Sequence, residues 1–270
     1  MEMNLQQIQA LQNQLFKDVV RVCDENNLTY YGAYGTALGA IRHKGMIPWD
    51  GDVDIYVPEN ELDRFLQVMQ TKLGDKYWVD FRSEIKTHRD FPRIGYRGYD
   101  TGVLHVDVFR LAGAPSDVKA QKRLRWITGK IHNLNDVKEK GLKSYCLKKY
   151  KVKQAYLVTA LTWMLPLKTT VKWIDHYSKK YPYESSEFVG NSVSGTYLSI
   201  FPKRLLGRGA IVPYEDFFIR VPEFYDEYLT IQYGDYLQYP PEEEQKKILH
   251  RVYRERLNPD NGLKSIYHEE

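Results

Sequence analysis

Along the first part of the chain, Leu5, Ile8, Leu11, Leu15, Val19, Val22 and Cys23 recur at spacings of three and four. That period places them on one stripe of an amphipathic helix running to Asn26-Asn27, a pair suited to a left-handed stop. Leu28 to Tyr34 is rich in Tyr and Thr and predicts a short strand. A Gly35-Thr36 turn follows, then a small-residue helix over Ala37-Leu38-Gly39-Ala40-Ile41, whose first backbone N–H groups lack intrahelical partners. The stretch from Arg42 to Gly51 holds too many breakers for regular structure and predicts a loop. Strict alternation then marks a strand over 52–57, with Val53, Ile55 and Val57 on one face and Asp52, Asp54 and Tyr56 on the other. Leu62, Phe65, Leu66 and Met69 form a helical stripe within 61–73, and further strands are predicted at 77–83, 93–99 and 104–110.

Beyond Pro115 the pattern turns to Lys, Arg, Leu and Tyr with few breakers, predicting a largely helical region over 117–181. From Pro182 onward, prolines at 202, 213, 222, 240 and 241 interrupt short aromatic runs. The expected organisation is α+β, with three parts: a mixed-sheet core over 1–115, a helical, basic subdomain over 116–181, and a C-terminal cap over 182–270 that completes the site.

Composition narrows the function classes. The 270 residues are 43% hydrophobic and 27% charged, an ordinary globular balance. No uncharged apolar run reaches the roughly 20 residues that cross a bilayer; the longest, 155–167, falls short. The N-terminus lacks the basic and apolar regions of a secretory leader, and Cys23 and Cys146 form no Cys-x-x-Cys pair, so a reducing cytoplasm is the expected compartment. A net charge of +4 falls short of a dedicated nucleic-acid-binding domain, and no nucleic acid partner is expected.

The candidate chemistry centres on Asp52-Val53-Asp54. Residues two apart on a strand face the same way with alpha carbons roughly 6.5 Å apart, so both carboxylates can converge on one cation. Asp107 is a third candidate, set by alternation on the face opposite Val106 and Val108. An all-oxygen donor set favours a hard cation, Mg²⁺ with Mn²⁺ as the substitute, whose remaining ligands are water and substrate phosphate. Upstream, Gly35-Thr36 offers close backbone approach to a phosphate at a helix start. Arg42, His43 and Lys44 form either a solvated basic loop or a grip on phosphate.

The run from Gly35 to Asp54, with its glycine turn, Arg42-His43-Lys44-Gly45, Pro48-Trp49-Asp50 and Asp52-Val53-Asp54, resembles the signature of the LicD family. Tyr228 to Pro240, with Tyr233-Gly234-Asp235, is similar to that family's C-terminal block. The resemblance covers about 5–107 plus this tail. Many family members have Asp where this chain has Gly51.

The resemblance implies a nucleotidyltransferase-like core and transfer of phosphocholine from a CDP-choline donor to a sugar hydroxyl. The implied acceptor is a lipid-linked glycan, a teichoic acid or lipopolysaccharide precursor, and CMP is released. By position it assigns Asp52, Asp54 and Asp107 to Mg²⁺, and Gly35 and Thr36 to the donor diphosphate. Arg42, His43 and Lys44 would grip the diphosphate or departing CMP, and Asp107 or Asp50 would take the proton. Choline calls for aromatic faces, with Trp49, Tyr34, Tyr225, Tyr228, Tyr233 and Tyr236 as candidates among 22 Tyr and 5 Trp. Two other readings use the same residues: a nucleotidyltransferase moving NMP from an NTP, and a binding module with a vestigial pocket. Lysines flank the apolar stretch within 143–172, which reads either as an interfacial helix at the inner face of a membrane or as a buried helix with solvated ends. The scattered histidines show no metal-ligand spacing.

Overall fold

A computed structural model describes residues 4–80, 91–99, 104–141, 152–191 and 200–252. The opening helix α1 (Leu5–Glu25) starts on a capping box in which Asn4 and Gln7 satisfy each other's backbone N–H groups, and it ends at Asn26. Asn27 then takes φ 51°, the left-handed stop expected from its amide side chain. The predicted strand over 28–34 contracts to β1 (Tyr31–Gly32). Its first residues are engaged elsewhere: Leu28 N–H donates to Cys23 O, and Thr29 bonds the Glu61 carboxylate.

The next helix, α2 (Tyr34–Arg42), begins earlier than its sequence predicts, with Ala33 as its N-cap. Gly35 and Thr36 therefore lie inside the first helical turn rather than in a turn ahead of it, because the Ala33 carbonyl already accepts from Thr36 and Ala37. β2 (Val53–Pro58), a short 3₁₀ turn and α3 (Leu62–Lys72) follow as the alternation and stripe predict. β3 (Tyr77–Val79), β4 (Arg93–Tyr96) and β5 (His105–Ala114) complete the first sheet order, β1-β2-β5-β4-β3. Residues 81–83 of the predicted strand lie outside the described residues.

β5 is buried along its whole length and serves two sets of neighbours. Its first half pairs parallel with β2 and antiparallel with β4; its last residues pair with β6 (Phe188–Gly190), which carries β7 (Ile200–Pro202). The region predicted as a C-terminal cap thus contributes two strands to the central sheet. Its prolines are accommodated where a missing N–H costs least, at the end of β7 and within the two-stranded hairpin β8 (Ala210–Tyr214) and β9 (Phe217–Val221). That hairpin packs on α1 through Phe16, whose ring meets Tyr214 and Phe217 edge-on.

The basic region forms α4 (Val118–Gly141), α5 (Val152–Trp163) and α6 (Leu167–Lys179), with α4 packed on both others. α7 (Tyr225–Tyr233) and α8 (Glu242–Val252) close the described chain. No helix among the described residues is long and apolar enough to cross a membrane. Cys23 is buried in the core; Cys146, His88, His268 and Lys148, Lys149 and Lys151 lie outside the described residues.

Candidate active site

The register of the two central parallel strands sets Asp54 of β2 directly beside Asp107 of β5. Both carboxylates belong to the polar face of their strands, as alternation predicts, while Val53, Val106 and Val108 point into the core. Thr36 supports the pair from α2: its hydroxyl accepts from the Asp54 N–H at 2.8 Å, and the Asp54 carbonyl accepts from Ala33 N–H at 2.9 Å. Asp52 stands one residue ahead of β2 and is half-buried.

Two further groups meet Asp107 that the sequence reading passed over. Arg93, its register partner on β4, reaches Asp107 Oδ1 through Nε at 2.5 Å. His105, two residues back on the same strand face, lies 3.3 Å from the same oxygen. Alternation could have singled out His105; nothing local marked Arg93. Burial would raise the Asp107 carboxyl, but the Arg93 guanidinium and His105 hold it down at about 2. Asp54 goes the other way. Burial, then the charges of Asp107 and Asp50, push it well above the usual carboxylate range, and Arg93 offsets only part of this.

The sign of the Arg93 effect is testable. A carboxyl depressed in the folded state contributes stability that is present above its ordinary pKa of 3.8 and is lost as pH falls toward 2. Arg93→Gln is therefore expected to move the acid-unfolding midpoint to higher pH. An unchanged midpoint in circular dichroism titrations would contradict the pairing.

Asp50 enters from the loop. A Cβ on Gly35 would stand 3.0 Å from Asp50 Oδ2, so the glycine admits this carboxylate to the start of α2. The loop backbone is pinned on the other side, where Gln9 Nε2 donates to the carbonyls of Ile47 and Asp50 and the buried Gln12 Nε2 donates to those of Gly51 and His105. Glu215, at the tip of the β8–β9 hairpin, accepts from Met46 N–H at 2.9 Å while its own N–H donates to Lys44 O at 2.7 Å. A hairpin about 170 residues downstream, by the sequence separation of that bond, thereby holds the loop.

Arg42 and His43 are engaged within the protein. Arg42 Nη1 donates to the carbonyls of Tyr236 and Gln238, its guanidinium lies 4.9 Å from the Tyr239 ring centroid, and Nε donates to His43 Nε2 at 3.0 Å. Burial and the Arg42 charge push the His43 imidazole below its ordinary value. Its ring packs edge-on against Trp49 and Tyr239. Lys44 is exposed, at φ 60°.

Aromatic side chains stand two residues beyond each acid, at Tyr56 and Phe109, and meet Tyr34. Tyr34 sits at φ 44°, a left-handed backbone that costs a non-glycine residue about 1–2 kcal/mol. Its N–H donates to the Tyr228 hydroxyl, and its ring packs edge-on against Tyr56 and Phe109, which holds it there. Tyr233 is partly exposed. Burial of its hydroxyl, then Tyr228, Asp54 and Asp50, push that hydroxyl well above its ordinary range. Tyr225 is half-buried against the core, and Tyr236 donates to Asp226 at 2.6 Å, away from the acids.

Among the described residues, no three His, Cys, Asp or Glu side chains form a ready-made metal cage. The acids nevertheless fit a hard divalent cation. Asp54 and Asp107 supply oxygen donors side by side, the charges of Asp107 and Asp50 crowd Asp54, and Mg²⁺ needs only one or two carboxylates when water and phosphate complete its shell.

Residues 27–130 match the family model described as LicD/FKTN/FKRP, nucleotidyltransferase domain. The lipopolysaccharide cholinephosphotransferase LicD of Haemophilus influenzae is 28% identical over 238 residues, which cover 83% of this chain and 88% of the relative. Uncharacterized proteins of Rickettsia typhi and Rickettsia prowazekii are 41% and 39% identical over 56 residues, 21% of this chain and 18% and 21% of theirs.

Proposed function

We propose that this chain, a member of the LicD family, is a phosphocholine transferase that moves phosphocholine from CDP-choline to a sugar hydroxyl of a lipid-linked cell-surface glycan precursor, such as that of a teichoic acid, and releases CMP. The observation that carries this reading is the Asp54–Asp107 pair in a chain similar over most of its length to a cholinephosphotransferase.

Asp54 and Asp107 would hold Mg²⁺, with Asp50 and Asp52 beside them. When bound, the ion neutralises charge on the transferring phosphoryl oxygens. The protein's own groups do the rest. The acceptor hydroxyl oxygen attacks the choline-bearing phosphorus, the bond from that phosphorus to the CMP oxygen breaks, and CMP leaves with the electron pair. The hydroxyl proton goes to a carboxylate. Asp107, held at about 2 by Arg93 and His105, has little driving force to accept it near neutral pH, which leaves Asp50 for that role.

A trimethylammonium group donates no hydrogen bonds and is held by aromatic faces and nearby negative charge. Tyr233, exposed on α7 and within reach of the charges of Asp54 and Asp50, meets that description. The His43–Trp49–Tyr239 cluster does not, since Arg42 already covers the Tyr239 ring. The engagement of Arg42 also recasts the basic stretch: Arg42 ties the loop to the tail, and Lys44 is left to meet phosphate.

Titration calorimetry with CDP-choline, CTP and CMP, with and without Mg²⁺, tests the reading. Metal-dependent preference for CDP-choline is expected, with turnover that yields CMP and no pyrophosphate. Preference for CTP with pyrophosphate release would replace it with the nucleotidyltransferase alternative. Absence of any nucleotide binding would leave a binding module.

A further inference from the structure

Helix α5 is built inside out. Its small and polar residues Ala155 and Thr162 are buried against the protein, and Thr159 and Thr162 direct their hydroxyls to the helix's own carbonyls at 2.8 and 2.6 Å. Its large apolar side chains face solvent. Leu157 and Leu161, with Met164 one residue past the helix end, follow spacings of four and three along one stripe, with Tyr156 and Trp163 at its margins. Trp163 and Met164 are 77% and 80% exposed, where a water-facing helix surface would carry charge. A contiguous exposed apolar stripe of this kind marks a contact surface.

Charge identifies what it meets. Between 117 and 181 the chain carries sixteen Lys and Arg against four Asp and Glu, while the remainder holds 23 against 31. Exposed Lys153 leads the apolar stripe by one turn, and Lys130 Nζ lies 5.7 Å from the ring of exposed Trp126 on the neighbouring helix α4. A second copy would bring like charge onto like charge. A nucleic acid would use the lysines but leave the Leu and Met stripe in water. An anionic lipid surface satisfies both, with phosphate headgroups for the lysines, acyl chains for the stripe and Trp163 at the boundary.

We infer that the exposed face of α5, with Lys153 beside it, docks the protein on an anionic lipid bilayer. The helix lies in the interface plane. This goes beyond the reaction proposed above and does not depend on it.

The test is co-sedimentation of the full chain with vesicles of phosphatidylcholine alone and of phosphatidylcholine mixed with phosphatidylglycerol, at low and high salt. Binding to the anionic vesicles is expected to be at least about tenfold stronger and to weaken with salt. The combined variant Leu157→Gln, Leu161→Gln and Met164→Gln is expected to lose it, with an unchanged melting temperature and an unchanged circular dichroism spectrum. Lys153→Glu, tested separately, is expected to weaken it without touching the stripe. Equal binding to both vesicle types, or none, overturns the proposal. So does vesicle-free self-association that the triple variant abolishes, or retention on single-stranded nucleic acid without vesicle binding.

Discussion

Asp54→Asn is expected to lower phosphocholine transfer by on the order of a thousandfold, because a group worth several kcal/mol of charge stabilisation at the transferring phosphoryl is removed. In metal-free buffer near neutral pH the same substitution is expected to raise the melting temperature. Burial and the neighbouring Asp107 and Asp50 push the Asp54 carboxyl well above its ordinary 3.8. For a carboxyl whose folded pKa is raised, ionisation costs stability as pH climbs through the interval above 3.8, and the amide escapes that cost. Thr36 still receives the backbone N–H of residue 54, so the local fold is retained. Opposite signs for activity and stability distinguish a functional carboxylate from a structural one. A kinetic assay beside a melting curve reads both, and full activity in the variant would remove Asp54 from the site.

The largest stability effect is expected at Arg110. This side chain on β5 is 2% exposed, with Nε 2.8 Å from Glu59 after β2 and Nη2 3.1 Å from Asp175 on α6. It therefore ties the helical region and the β2–α3 connection to the central sheet. Arg110→Met removes the cation that both carboxylates share, a loss of about 3–5 kcal/mol. For a chain of this size that corresponds to a drop in melting temperature of roughly 10 °C. Adding Glu59→Gln and Asp175→Asn is expected to recover part of the loss, because the neutral amides no longer draw on the Arg110 charge. A melting temperature unchanged by Arg110→Met would show that the network holds nothing together.

These two sites differ in how far the sequence reveals them. Asp54 and Asp107 stand out from alternation alone, since period two puts their side chains on the face opposite the core valines. Arg110 does not: it looks like the polar end of a strand predicted to stop at 110, whereas β5 continues to Ala114 because β6 pairs with its far end. The same limit hides Arg93, whose bond to Asp107 depends on the register between β4 and β5. Glu215 is hidden more deeply, since a hairpin tip far along the chain carries no local signal for the loop it caps. For Arg42 the residue is legible and its engagement is not: its partners are carbonyls of the tail, 194 and 196 residues away.

What the sequence determined by itself is everything that rests on local period and backbone chemistry: the α1 stripe and its Asn stop, the acidic face of β2, the α3 helix and the helical character of the described residues within 117–181. The tertiary structure alone decided which acids meet, which cations are already engaged, and that α5 turns its apolar side outward. The physical reason is range. Side-chain period and capping act within a turn or two of the chain, whereas strand register, ion pairing and burial depend on segments that only the closed fold brings within a few ångströms of each other.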